Sequence, residues 1–176
     1  INSTTREVED AVIPTTRVVS TENNFYGKVW SNSYVEFRQL YSQNDSATFN
    51  IRDVLSNVGY DIYLVMAPAL ANDSNATDIE RAPVKMNTVI AYTEKDGTMK
   101  EQKLAQGLVT TPDQVDYLLV AEDYKFPVCT YGLSSTGDAK VTLRVETNVL
   151  PSEFNRGTYS RTLRIDCIIL RPKELD

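Results

Sequence analysis

No stretch of this 176-residue chain holds the 3.6-residue period of a long amphipathic helix, whereas short runs that alternate apolar and polar residues recur between turn signals. That pattern confines the chain to an all-β fold, because a half-buried strand repeats every two residues and buries one face. Lys140–Asn148 alternates most cleanly, with Val141, Leu143 and Val145 on one side and Thr142, Arg144 and Glu146 on the other. Thr15–Ser20, Tyr34–Tyr41 and Ala47–Ile51 read as further strands, and Asp53–Gly59 as a helical turn or loop. Tyr60–Ala67 carries Tyr60, Ile62, Leu64 and Met66 on one face and Tyr63 and Val65 on the other, as a central strand covered on both sides does.

Met86–Glu94 and Met99–Leu104 flank Asp96-Gly97, a strong hairpin signal, and their polar alternate positions suit a sheet edge. Val115–Ala121 and Tyr124–Thr130 read as two strands meeting at Glu122-Asp123. Pro127 donates no hydrogen bond and confines the second to an edge or a bulge. In the last strand, within Tyr159–Pro172, Leu163, Ile165, Cys167 and Ile169 share one face. Thr162, Arg164 and Asp166 share the other until Ile168 and Leu170 make it apolar on both sides. An unpaired carboxylate in such a strand is costly, so Asp166 is expected either on a wet face beside Arg164 or paired with an arginine such as Arg161 or Arg171.

Strand candidates without helical crossovers predict two antiparallel sheets packed as a sandwich. Residues 1–14 read as a tail or linker and 15–176 as a single β-sandwich domain. A chain of this length buries roughly 70% of its unfolded surface and needs no staple. Cys129 and Cys167 accordingly read as buried free thiols rather than a disulfide or a metal site.

Composition removes whole classes of function. The net charge is −6 with no basic cluster, which argues against nucleic acid as a partner. No run of about 18 apolar residues is present to span a membrane. The chain has no histidine, so Ser-His-Asp, Cys-His and HExxH chemistry are excluded. A carboxylate pair is the remaining enzymatic route. The acids fall mostly in loops or on outward strand positions, and a pair such as Asp116 and Asp166 reads as solvated surface. The expectation is a non-enzyme.

Two loops carry the candidate ligands. Residues 21–33 hold Tyr26, Asn32 and the only tryptophan, Trp30, which either faces a ligand or caps the core. Residues 68–83 offer Asp73, Asn75 and Asp78, hard oxygen ligands suited to calcium. The glycine and terminal glutamate of a full calcium loop are missing there, and an exposed turn has the same composition. No other cofactor is expected.

The strand order and wording resemble the galactose-binding-like β-sandwich, the jelly roll of many carbohydrate-binding modules. Leu163 to Pro172, with Ile165-Asp166-Cys167-Ile168-Ile169-Leu170 at its centre, is similar to that family's final strand. Gly59-Tyr60-Asp61-Ile62-Tyr63-Leu64 is similar to its middle strand, and Val141 to Val145 to the strand before the last. The segments YDIYLVMAPA, VDYLLVAEDYKFPVCTYGL and YSRTLRIDCIILRP also resemble the C-terminal region of gut-bacterial lipoproteins with fasciclin-type adhesion domains.

The resemblance implies an extracytoplasmic protein of the bacterial cell envelope, in the periplasm or on the outer surface. Ile1 then marks a domain boundary, with any lipid anchor upstream. It further implies a non-catalytic module that binds a glycan or a cell-surface protein. A sugar site would draw on Tyr26, Trp30, Asn32 and Tyr131 in loops at one end. The other reading is a structural or protein-interaction module with no sugar site.

Overall fold

The computed structural model describes residues 15–20, 33–38, 43–68, 81–111, 114–130 and 141–173. They form β1 (Thr15–Ser20), β2 (Ser33–Arg38), β3 (Ser46–Asn50), β4 (Gly59–Met66), β5 (Lys85–Thr93), β6 (Met99–Lys103), β7 (Leu108–Val109), β8 (Asp116–Lys125), β9 (Val141–Thr147), α1 (Pro151–Asn155) and β10 (Leu163–Pro172).

The Asp96-Gly97 turn is the closed end of one long folded hairpin. Gly97 sits at φ +86°, where a side chain is disfavoured, and its N–H donates to the Glu94 carbonyl, while the Asp96 carboxylate accepts the Thr98 N–H. Outward from this turn the strands pair antiparallel in nested order: β5 with β6 and β7, β4 with β8, β3 with β9 and β2 with β10. Rolling that double ribbon up gives two sheets, β1-β2-β10-β4-β8 and β3-β9-β5-β6 with β7 also on β5. This nested winding is a jelly roll, and the all-β two-sheet sandwich expected from the sequence is the fold. β5 runs inside its sheet between β9 and β6, so only the β6 arm of the hairpin lies at an edge.

Alternation places the core as read. Val141, Leu143 and Val145 of β9 are fully buried and face Ile62, Leu64 and Met66 of β4 in one cluster with Ile90, Leu163 and Ile165. Burying a side chain of this size contributes about 1.5–3 kcal/mol, so this shared layer dominates the stability.

Bulges correct three expectations. Residues 116–125 form one continuous strand rather than two. Its register against β4 shifts at Val120 and again at Glu122-Asp123, where Asp123 takes φ +49° and donates its N–H to the Asp61 carboxylate at 3.0 Å. Gly59 makes room for this bulge, since a Cβ there would lie 1.8 Å from Asp123 Oδ1. Pro127 falls just beyond the strand, at the sheet edge.

In β10, Ile165 pairs with Met66 but Cys167 pairs with Val65. Asp166 is therefore the extra residue, and the alternation flips after it. Ile168 and Leu170 turn to the core, and Cys167 and Ile169 turn outward. Both cysteines are free as expected, yet neither is buried: Cys129 is exposed beyond β8 and Cys167 is half-buried.

Hydrogen bonds link the β6 edge of one sheet to the β8 edge of the other. The Ala105 N–H donates to the Val120 carbonyl at the first bulge, and the Tyr124 hydroxyl donates to Gln102 Oε1. Burial pushes the Tyr124 hydroxyl up to about 12, so it remains a donor at neutral pH.

Candidate functional site

The two outer faces of the sandwich differ in kind. On the β3-β9-β5-β6 sheet, outward residues include Thr48, Asn50, Arg144, Glu146 and Glu101, and Arg144 bridges Glu101 at 2.8 Å. That is an ordinary solvated face. On the other sheet the outward positions of β10, β4 and β8 form two cross-strand rows. Cys167, Val65 and Tyr117 line up in one, and Ile169, Tyr63 and Leu119 in the next. Tyr117 and Leu119 are 52% and 42% exposed on the edge strand, while Val65, between Cys167 and Tyr117 in its row, is fully buried.

Charge rims these rows at one end. Arg171 lies across from Asp61, and Lys173 Nζ reaches Asp61 at 3.3 Å and Glu122 at 3.8 Å. The Asp123 N–H, then Lys173, hold the Asp61 carboxyl below the usual carboxylate range, and Asp61 in turn raises Lys173. Burial, aided by Asp166, pushes the Cys167 thiol up to about 11, so it is a poor nucleophile at neutral pH.

A second feature is a polar cleft at the end of the sandwich where β4 finishes and β8 and β10 begin. Met66, Pro68, Arg81, Asp116, Thr162 and Arg164 are among its lining residues, and its cavity volume is about 20 Å³. That is room for about one water, far below the roughly 300–1,000 Å³ of a ligand pocket. Its polar groups are engaged by the fold. Asp116 is buried, contrary to the solvated-surface expectation, and its carboxylate accepts the Thr111 N–H and Gln114 Nε2. Arg164 is not on a wet face: Arg164 Nε meets Glu36 Oε2 at 2.9 Å, with the two side chains 4% and 0% exposed. Outside the cleft, Arg161 donates to the Val149 carbonyl and lies over the Phe154 ring.

Tyr26, Trp30, Asn32 and Tyr131, and the calcium candidates Asp73, Asn75 and Asp78, lie outside the described residues. The strands flanking them are described. Ser20, Ser33 and Val141 stand at one end of the sandwich, and Met66 and Lys85, on either side of residues 69–80, at the opposite end. Among the described residues, no group of three or more histidine, cysteine, aspartate or glutamate side chains could hold a metal, and no helix is long and apolar enough to cross a membrane.

The outer rows escaped the sequence reading although a signal was present. Tyr117, Leu118, Leu119 and Val120 are apolar on both strand faces, and Pro127 had already marked that region as an edge. An edge strand that is apolar on both faces leaves apolar side chains at the sheet edge, here Tyr117 and Leu119, exposed.

Fold and face together define a jelly-roll sandwich whose β8 edge exposes Tyr117 and Leu119 on one outer face. No family model, curated protein or solved structure matches the chain.

Proposed function

We propose that the chain is a non-catalytic binding module that docks a protein partner on the outer face of β10, β4 and β8, in an adhesive setting at the bacterial cell envelope. The observation that carries this reading is the pair of apolar rows ending in exposed Tyr117 and Leu119, set against the solvated outer face of the other sheet. Interfaces combine an apolar, tyrosine-rich core with a charged rim, and here Asp61, Arg171, Lys173 and Glu122 supply a rim of both signs. The envelope setting is supported by the resemblance of the last strands to fasciclin-type lipoproteins.

The test places a photo-crosslinking side chain at Tyr117 and, in a second variant, at Thr48 on the solvated face, with the chain expressed in its own cells. One defined adduct, identified by mass spectrometry, is expected from position 117 and none from position 48. Equal or absent labelling from both positions removes the docking face.

Glycan binding is the second reading. It is favoured by the topology, which brings the strand ends beside residues 21–32 and the β9 start after residues 131–140 to one end of the sandwich. Trp30 is the only tryptophan, so its fluorescence reports a single site. Protection from acrylamide quenching by one soluble polysaccharide supports a sugar site, and indifference to a whole panel removes Trp30 from it.

A further inference from the structure

The path of β1 and β10 through their sheet has a mechanical consequence. β1 pairs antiparallel with β2 from Thr15↔Arg38 to Ser20↔Ser33, and β10 pairs antiparallel with the other side of β2 from Leu163↔Phe37 to Ile165↔Val35. β1 and β10 therefore run parallel with β2 between them. Thr15 stands level with the start of β10, while Pro172 ends β10 far beyond it, beside Tyr60 of β4. The axial separation is about 30 Å at the rise of an extended strand.

We propose that the sandwich acts as a force-resisting spacer, transmitting tension along its strand axis between residues 15 and 173. Pulling at these two points draws β1 and β10 in opposite directions along their own lengths. Inter-strand hydrogen bonds in antiparallel ladders lie perpendicular to the strands, so the pull shears a whole ladder at once instead of opening it pair by pair.

The exit point of β10 is held accordingly. β10 has a neighbour on each side. Past its last residue the Lys173 N–H donates to the Gly59 carbonyl at 2.8 Å, and Lys173 Nζ pairs with Asp61. Among the described residues β1 is an edge strand held by a single ladder, so the β1–β2 ladder yields first. This property stands beside the docking reading and does not depend on it.

Single-molecule pulling of the full chain tests the proposal through two pairs of attachment points. One pair is residues 15 and 173. The other is residues 15 and 158, which both lie at the same end of the sheet, so tension there peels β1 sideways. Each labelled chain must first show the unlabelled denaturation midpoint. Full unfolding releases about 500 Å of chain in either geometry, so the two traces are directly comparable. The expected result, at equal loading rate, is a rupture force at least about twofold higher for 15/173, because forced unfolding follows the barrier along the loaded direction. Equal forces, or a weaker 15/173 trace, would overturn the proposal.

Discussion

Replacing Arg164 by methionine keeps most of the side-chain length and removes the charge that faces Glu36. The two groups meet at 2.9 Å, and the Glu36 side chain is 0% exposed. Breaking a buried pair from one side costs up to about 3–5 kcal/mol, a large part of the roughly 5–15 kcal/mol that holds a domain together. With a urea slope of about 2 kcal/mol per molar, the midpoint should fall by about 1.5–2.5 M.

The reciprocal change, Glu36→Met, should cost less. Arg164 lines the cleft and can meet water there, whereas Glu36 does not line it. Replacing both by methionine removes the desolvated charges together and should recover most of the loss, since well-packed apolar replacements of buried pairs are often neutral or stabilising. Equilibrium urea unfolding of the four chains gives the full cycle. A loss below about 1 kcal/mol for Arg164→Met, or a double variant no more stable than that single one, would refute the view that this pair is a buried structural unit.

Three further outcomes follow from other residues. Gly59→Ala must push the Asp123 carboxylate aside and should lower stability by about 1–2 kcal/mol; Asp123→Gly, which suits φ +49°, should remove most of that penalty in a thermal melt of the double variant. Asp61, Glu101 and Glu153 are all held below their ordinary values of 3.8, 4.5 and 4.5, by the Asp123 N–H, Arg144 and Lys85 respectively. Their contribution is complete above those ordinary values and is lost as pH falls through the lower folded values, so the melting temperature should drop steeply below about pH 4, and less steeply in Asp61→Asn. At pH 8 iodoacetamide should modify exposed Cys129 well before Cys167, whose thiol is pushed up to about 11, as peptide mass mapping over time will show.

How much of the fold was legible depended on whether a feature lived in period or in register. β9 and β4 were readable because their alternation is a property of residue identity alone. The Asp96-Gly97 hairpin was readable because its glycine has to adopt positive φ. The bulges at Val120, Asp123 and Asp166 were not, because each is one extra residue in the register whose existence depends on the strand opposite. One such residue was enough to turn Cys167 and Ile169 from core to outer face. The short α1 also passed unseen, although Pro151 at its first position and Glu153, whose carboxylate accepts the Leu150 N–H, are helix-start signals. The buried Glu36–Arg164 pair joins residues 128 positions apart, and no local pattern announces such a contact.

Docking and tension fall on the same sheet but on different ladders, which makes their relation testable. The apolar rows cross β10, β4 and β8, so a partner seated on them braces strands that already have their own neighbours. The first ladder to yield under axial tension joins β1 to β2, on the far side of β10 from β4 and β8. Occupancy of the outer face should therefore leave the first rupture between residues 15 and 173 unchanged. It should raise only the later event, in which β10 leaves β4. If the first event also shifts with a bound partner, the partner reaches β1, and the docking face is wider than the rows that end in exposed Tyr117 and Leu119.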